Sequence, residues 1–262
     1  MTARTIPPLF VSHGSPMHAL DVGAAGRVWA SLGTRAPRPR AVLVASAHWE
    51  TNLPMLSGNP APETTHDFFG FPEALYRIRY AAPGDPALAA RAVALLKQAG
   101  FTAAVDGCRG LDHGVWAPLL HAFPLADVPV VELSVQSALG PAHHYALGKA
   151  LAPLAREDVL LIGSGHMTHN LRDRRPDGAA PLAYAREFQA WIDARIRGHE
   201  IDALLDYRAQ APHAARAHPT EEHFLPLYVA LGAAGPGYRA DRLFQAIESG
   251  ALAMDAYRFH PA

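Results

Sequence analysis

The sequence predicts an α/β fold, a single layered domain with a central, mostly parallel or mixed β-sheet flanked by helices. Three observations carry this reading. Short apolar runs alternate along the chain with segments of helical periodicity. Those runs are bounded by Gly, Pro or His, as buried strands often are. No internal repeat, linker or low-complexity tract divides the 262 residues, a length that suits one large domain.

The elements follow in order. Residues 8–13 read as a buried strand, and a helix is expected around 20–33. The breaker Ala36-Pro37-Arg38-Pro39-Arg40 precedes a second strand over 41–48. Residues 58–73, rich in Gly, Pro and Phe, read as a long loop, and 77–80 as a short strand. Over 86–100 a proline opens a helix, Ala, Leu and Val repeat at helical spacing, and Gly100 closes it. A short helix over 115–123, a strand over 128–135, a helix over 141–155 and a strand over 159–163 continue the alternation. The helix expected over 181–198 carries Leu182, Ala185, Phe188, Ile192 and Ile196 on one face. A shorter helix covers 201–206, and 207–219 reads as a polar loop. Thr220 then has the form of an N-cap, with Glu221 and Glu222 in the first turn of a helix ending at Gly232. The tail, 254–259, reads as an edge strand.

Composition narrows the function. Half of the residues are hydrophobic and the net charge is −1, with no basic stripe for nucleic acid. No apolar run reaches the length of a membrane span, and the first eight residues lack the apolar core of a signal peptide. Cys108 is the single cysteine, so no internal disulfide forms, which suits a reducing compartment. The expectation is a cytoplasmic protein; assembly into a homo-oligomer is left open.

Histidine is the informative residue type, with 15 in the chain. His13 and His48 stand at the ends of two strands, and His166 and His169 follow a third. In open α/β sheets the ligand site lies beyond the carboxyl ends of the strands, so these imidazoles are delivered to one place. Imidazole is a common metal ligand and the usual acid/base group near pH 7. His113 precedes a helix, where Asp112 could equally serve as a structural cap. His166 and His169 share a face only if their segment is helical. His223 sits at a helix start beside two glutamates. A strand-end histidine can also be a satisfied core residue, but two on separate strands weaken that reading. His121, His143, His144, His199, His213 and His260 have no such setting.

Six motifs occur in order: Phe10-Val11-Ser12-His13-Gly14-Ser15-Pro16, Ala45-Ser46-Ala47-His48-Trp49, His66-Asp67-Phe68-Phe69-Gly70-Phe71-Pro72, Leu111-Asp112-His113-Gly114, Gly163-Ser164-Gly165 with His169-Asn170-Leu171, and His218-Pro219 with Glu222-His223-Phe224-Leu225-Pro226-Leu227. Together they resemble the DOPA 4,5-dioxygenase branch of the class III extradiol ring-cleaving dioxygenases, over roughly residues 7 to 260. The resemblance implies His13, His48 and His223 as metal ligands and His169 as catalytic acid/base, sometimes counted as a ligand in this branch. It implies His113 beside the oxygen site. A carboxylate of Glu221 or Glu222 could instead complete the two-histidine, one-carboxylate set of non-haem iron oxygenases. His166 stands where the family pattern more often has Asn or a small residue.

The implied chemistry is Fe(II)-dependent cleavage of a catechol ring by O2, giving a muconic-semialdehyde-type product. Zn(II), without redox chemistry, could fill the site in isolated protein without supporting the reaction. Phe68, Phe69, Phe71, Trp116, Tyr257 and His166 are candidates for the substrate pocket, each of the aromatic ones with ordinary packing as the alternative. Two other functions use the same residues: a zinc-dependent hydrolase, and a non-catalytic metal-binding member of the same fold.

Overall fold

Ten strands and ten α-helices, with short 3-10 turns between them, make up the computed structural model, which describes residues 5–35 and 38–262. Residues 1–4, and the Ala36-Pro37 half of the expected breaker, lie outside the described residues. The first half runs β1 (Leu9–Ser12), α1 (Gly23–Arg35), β2 (Ala41–Glu50), β3 (Met55–Ser57), α2 (Glu73–Tyr76), α3 (Pro86–Gln98), β4 (Ala104–Asp106), α4 (His113–Ala122) and β5 (Val130–Val135). The second runs α5 (Gly140–Leu151), β6 (Val159–Gly165), α6 (Ala183–Arg197), α7 (Ile201–Leu205), α8 (Tyr207–Gln210), α9 (Ala214–Ala217), α10 (Leu225–Ala234), β7 (Arg239–Phe244), β8 (Ile247–Glu248), β9 (Leu252–Ala253) and β10 (Ala256–His260).

Eight strands form one mixed sheet in the order β4-β3-β5-β2-β6-β1-β10-β7. Its centre, β5-β2-β6-β1, is parallel, with Ser46 opposite Ser164 and Ser12 opposite Gly165. Strands β10 and β7 add antiparallel on one side, and β3 pairs antiparallel with β5 on the other. Side chains alternate between faces as strand geometry requires. Leu9, Val11, Val42, Val44, Leu160 and Ile162 pack with Trp29 of α1 and Trp116 of α4. Leu43, Leu161 and Leu133 face the other way, onto α3, α5 and α10. The centre of the sheet is therefore buried on both faces, which accounts for central strands that are largely apolar.

Capping and packing set the helix limits. Asp85 accepts from Leu88 N at the start of α3, and Asp112 accepts from Val115 N at the start of α4. Helix α10, LPLYVALGAA, is apolar all round because every residue in it is buried. It lies against α5 and β6. Gly163 and Gly165 allow this approach: a Cβ on either would sit 2.0 or 2.1 Å from the carbonyl oxygens of Pro226 and His223.

Several expectations are corrected. Residues 77–80 form no strand; Tyr80 N instead bonds to Thr64 Oγ1, closing the loop that precedes it. The segment 207–219 contains α8 and α9 rather than only loop, because Tyr207, Ala211, Ala214 and Ala217 pack into the core. Thr220 does not cap α10: its hydroxyl bonds Glu222, residues 221–224 form a turn, and the helix starts at Leu225 and runs past Gly232. The tail is not an edge strand, since β10 lies between β1 and β7. Strands β3, β4, β7, β8 and β9 have no signal in the sequence: four are two or three residues long, and β7, RADRLF, is charged and partly exposed.

Candidate active site

Adjacent strands β2, β6 and β1 end at one edge of the sheet. His48 lies within β2, while His13 directly follows β1 and His166 directly follows β6. Backbone hydrogen bonds fix the last two: His13 N donates to Gly165 O, and His166 N donates to His223 O at 2.7 Å. The second bond ties the end of β6 to the turn before α10 and brings His223 over the same edge. Residues 166–170 are irregular rather than helical, yet the His166 and His169 rings lie 5.2 Å apart. His169 stacks on His223, with ring centres 3.5 Å apart and planes 12° from parallel.

Three ring nitrogens meet here. His48 Nε2 is 3.1 Å from His13 Nε2 and 3.3 Å from His223 Nε2. Hydrogen bonds on the opposite nitrogens decide the tautomers. Ser164 Oγ donates to Gly114 O, so it accepts from His13 Nδ1 at 3.1 Å. The Asp67 carboxylate lies beside His48, Oδ2 3.2 Å from Nδ1, in an ion-pair contact, and Glu222 Oε1 accepts from His223 Nδ1 at 3.0 Å. His13 and His223 therefore each present a bare Nε2 lone pair toward His48 Nε2, and the Asp67 carboxylate beside His48 Nδ1 favours the proton there, which leaves a third. Such an arrangement is repulsive unless a cation sits among them. Imidazoles sharing one ion at about 2.0–2.1 Å in tetrahedral geometry have nitrogens about 3.3 Å apart, which matches the spacing found. The donor set fits a metal ion.

Electrostatics agree. Burial first, then neighbouring histidines, hold His13, His166 and His223 well below the ordinary imidazole pKa. The same causes lower His48 to about 4 and His169 to about 3. Neutral imidazoles are the form that binds metal. Burial opposes ionisation of Asp67, but hydrogen bonds and charge from His113 and His48 hold it at about 2. Its carboxylate also accepts from His113 N and His113 Nδ1, leaving His113 Nε2 free. The ligating atoms of His13, His48 and His113 lie within 4.8 Å of one another, as do those of His169, Glu222 and His223. The two clusters join through the contact between His48 and His223.

These residues floor a cavity of about 280 Å³. Phe68, Phe69 and Phe71 line it, with His166, Leu171, Leu252 and Pro16. Phe68 also packs on Phe71, Tyr76 and Trp116, whereas Phe69 is 92% exposed. Trp116 is fully buried behind Phe68, its Nε1 donating to Thr65 O, and does not line the cavity. Tyr257 lies away from the site, with its hydroxyl donating to Asp193. Glu221 is also elsewhere, held by Tyr207 and Arg208. Asp112 caps α4 and accepts from Ser46 Oγ, so the cap and the His113 readings hold together. Sequence reasoning passed over Asp67 as a partner of two histidines, Ser164 as a partner of His13, and Arg174 on the cavity wall. Asp67 stood inside a quoted motif, but nothing local reveals a pairing 46 residues away.

A parallel-centred sheet with clustered imidazoles beyond its strand ends, under an aromatic-walled cavity, defines an α/β protein with a site that could bind a metal ion. The chain matches the family model described as "Catalytic LigB subunit of aromatic ring-opening dioxygenase" over residues 7–248, and it belongs to that family. It is 43% identical over 256 residues to a 4,5-DOPA dioxygenase extradiol of Beta vulgaris, covering 95% of each chain. A protein of the same name from Escherichia coli K12 is 38% identical over 261 residues, covering 97% of this chain and 94% of that one. A crystal structure of the uncharacterized Escherichia coli K12 protein JW3007 superposes with a TM-score of 0.83 at 34% identity, covering 97% of this chain and 99% of that one. The chain is thus an extradiol ring-cleaving dioxygenase.

Proposed function

We propose that residues 1–262 act as one cytoplasmic catalytic domain that uses Fe(II) and O2 to open a substituted catechol beside its diol. The product is of the muconic-semialdehyde type, and both oxygen atoms enter it. The observation that carries the metal reading is the meeting of three Nε2 atoms at 3.1 and 3.3 Å. His13, His48 and His223 would hold the ion. Glu222 supports His223 from the far ring nitrogen and is not itself a ligand. When bound, a ferrous ion supplies positions for the diol and redox communication with dioxygen, which zinc cannot.

The chain's own residues supply the rest. His169, half-buried, neutral and on the cavity wall, is placed to take a proton from a catechol hydroxyl at a ring nitrogen and return it later in the reaction. His113, held by Asp67 through Nδ1, offers Nε2 to the oxygen side of the cavity. Phe68 and Phe71 position the ring. The relatives named for DOPA make DOPA and other substituted catechols the substrates to try first.

The test is anaerobic reconstitution with Fe(II), then a catechol panel scored by oxygen uptake and a new visible chromophore. Stoichiometric oxygen consumption that requires iron is the expected result. Turnover of another substrate class by a zinc-loaded form, without oxygen uptake, would instead establish a hydrolase.

A further inference from the structure

We infer that Arg174 selects catechols whose side chain ends in a carboxylate and carries no ammonium group. This rests on the catechol-cleaving reading above. Apart from its histidines, the cavity wall holds two charged side chains, Asp67 and Arg174. Asp67 is engaged, accepting from His113 N and His113 Nδ1 and lying 3.2 Å from His48 Nδ1. No hydrogen bond or ion pair among the described residues engages the Arg174 guanidinium. Its backbone, by contrast, is pinned. Asn170 caps the preceding 3-10 turn, Asp173 pairs with Arg216, and Arg175 N donates to Ser249 O. An unpaired guanidinium therefore rises from a tied-down backbone at the exposed rim of the cavity, while the histidines occupy its floor.

A catechol bound with its diol on the floor points its ring substituent toward this rim. The volume, about 280 Å³, is at the small end for ligand pockets, so the substituent is short. Guanidinium forms paired, charge-assisted hydrogen bonds with a carboxylate. An ammonium group there would meet a like charge, with no unengaged carboxylate on the cavity wall to offset it. Discrimination thus comes from repulsion as well as attraction.

Four catechols of matched skeleton separate the terms: dihydrocaffeate with a carboxylate, DOPA with both charges, dopamine with an ammonium, and ethylcatechol with neither. Their dissociation constants are measured by anaerobic calorimetric titration of Fe(II)-loaded protein, and kcat/KM by oxygen uptake. Charge-assisted pairing corresponds to about a ten- to hundredfold preference for dihydrocaffeate over ethylcatechol, with DOPA between them and dopamine weakest. Arg174→Gln is expected to bring the dihydrocaffeate-to-ethylcatechol ratio close to one, and Arg174→Lys to keep part of it. Equal binding of these two by the wild type, an unchanged ratio in Arg174→Gln, or DOPA bound more tightly than dihydrocaffeate would each overturn the inference. Binding with that ratio but no oxygen uptake from any of the four would leave the carboxylate preference standing and remove the dioxygenase reading.

Discussion

Each proposed ligand imidazole is oriented through its other nitrogen: His13 by Ser164, His48 by Asp67 and His223 by Glu222. Such partners fix the tautomer and raise ligand basicity, and their loss commonly costs about 10–100-fold in metal affinity. Glu222→Gln is therefore expected to weaken iron binding by about that factor, read by competition with a chelator, while the fold is retained because Glu222 is partly exposed. His169 tests a different role. His169→Ala should keep its iron and lose about 10²–10⁴-fold in turnover; a parallel fall in iron content would make His169 a ligand. The histidines were legible one by one, His13 and His166 from their places directly after strands, His48 from the end of an apolar run, and His113 and His223 from helix starts. Their carboxylate and hydroxyl partners were not, because Ser164 is 151 residues from His13 and Asp67 is brought in by a loop.

At the scale of elements, the buried helices carry a cost that pH exposes. His144, in α5, is wholly buried; its Nδ1 donates to Gly140 O and its Nε2 accepts from Gln136 N. Burial lowers its pKa to about 4. The folded value lies below the ordinary one near 6.5, so the folded state binds fewer protons between these values. The stability it contributes is complete above pH 6.5 and is lost as pH falls toward 4, with an upper limit of roughly 3 kcal/mol. His144→Gln should be less stable at pH 7.5 yet lose less on acidification to pH 5. Denaturant unfolding of both proteins at the two pH values measures this, and the difference cancels the other buried histidines. The strands and long helices were readable from apolar runs and helical spacing. Strand β7 and helices α8 and α9 were not, since their short or charged segments are stabilised by what they pack on.

Over the whole molecule, the loop 58–72 leaves the sheet after β3 and returns Asp67 and three phenylalanines to the cavity made by strands β1, β2 and β6. Its phenylalanines differ in setting. Phe68 packs against the core, whereas Phe69 is almost wholly exposed at the mouth. Phe69→Ala is thus expected to leave the melting temperature within about a degree, as surface changes usually do, while raising KM and reordering a catechol panel. Phe68→Ala should lower both stability and affinity, the former by about 2–4 kcal/mol on the scale of large-to-small core changes. An unchanged substrate ranking in both variants would remove the loop from the pocket.

The sequence by itself determined the alternation of strands and helices, the α/β class, and which histidines stand where strands end. These are local properties: periodicity, caps and breakers are written over a few neighbouring residues. Only the tertiary structure decided that β10 lies inside the sheet, that Trp116 lies behind the cavity and Tyr257 away from it, and that Asp67 and Glu222 stand beside the outer ring nitrogens of His48 and His223. Each of those depends on strand order and on contacts between segments far apart in the chain. Lone pairs 3.1 Å apart arise only when the sheet sets β2, β6 and β1 side by side and the glycines at the end of β6 admit α10 close enough to bring His223 over them.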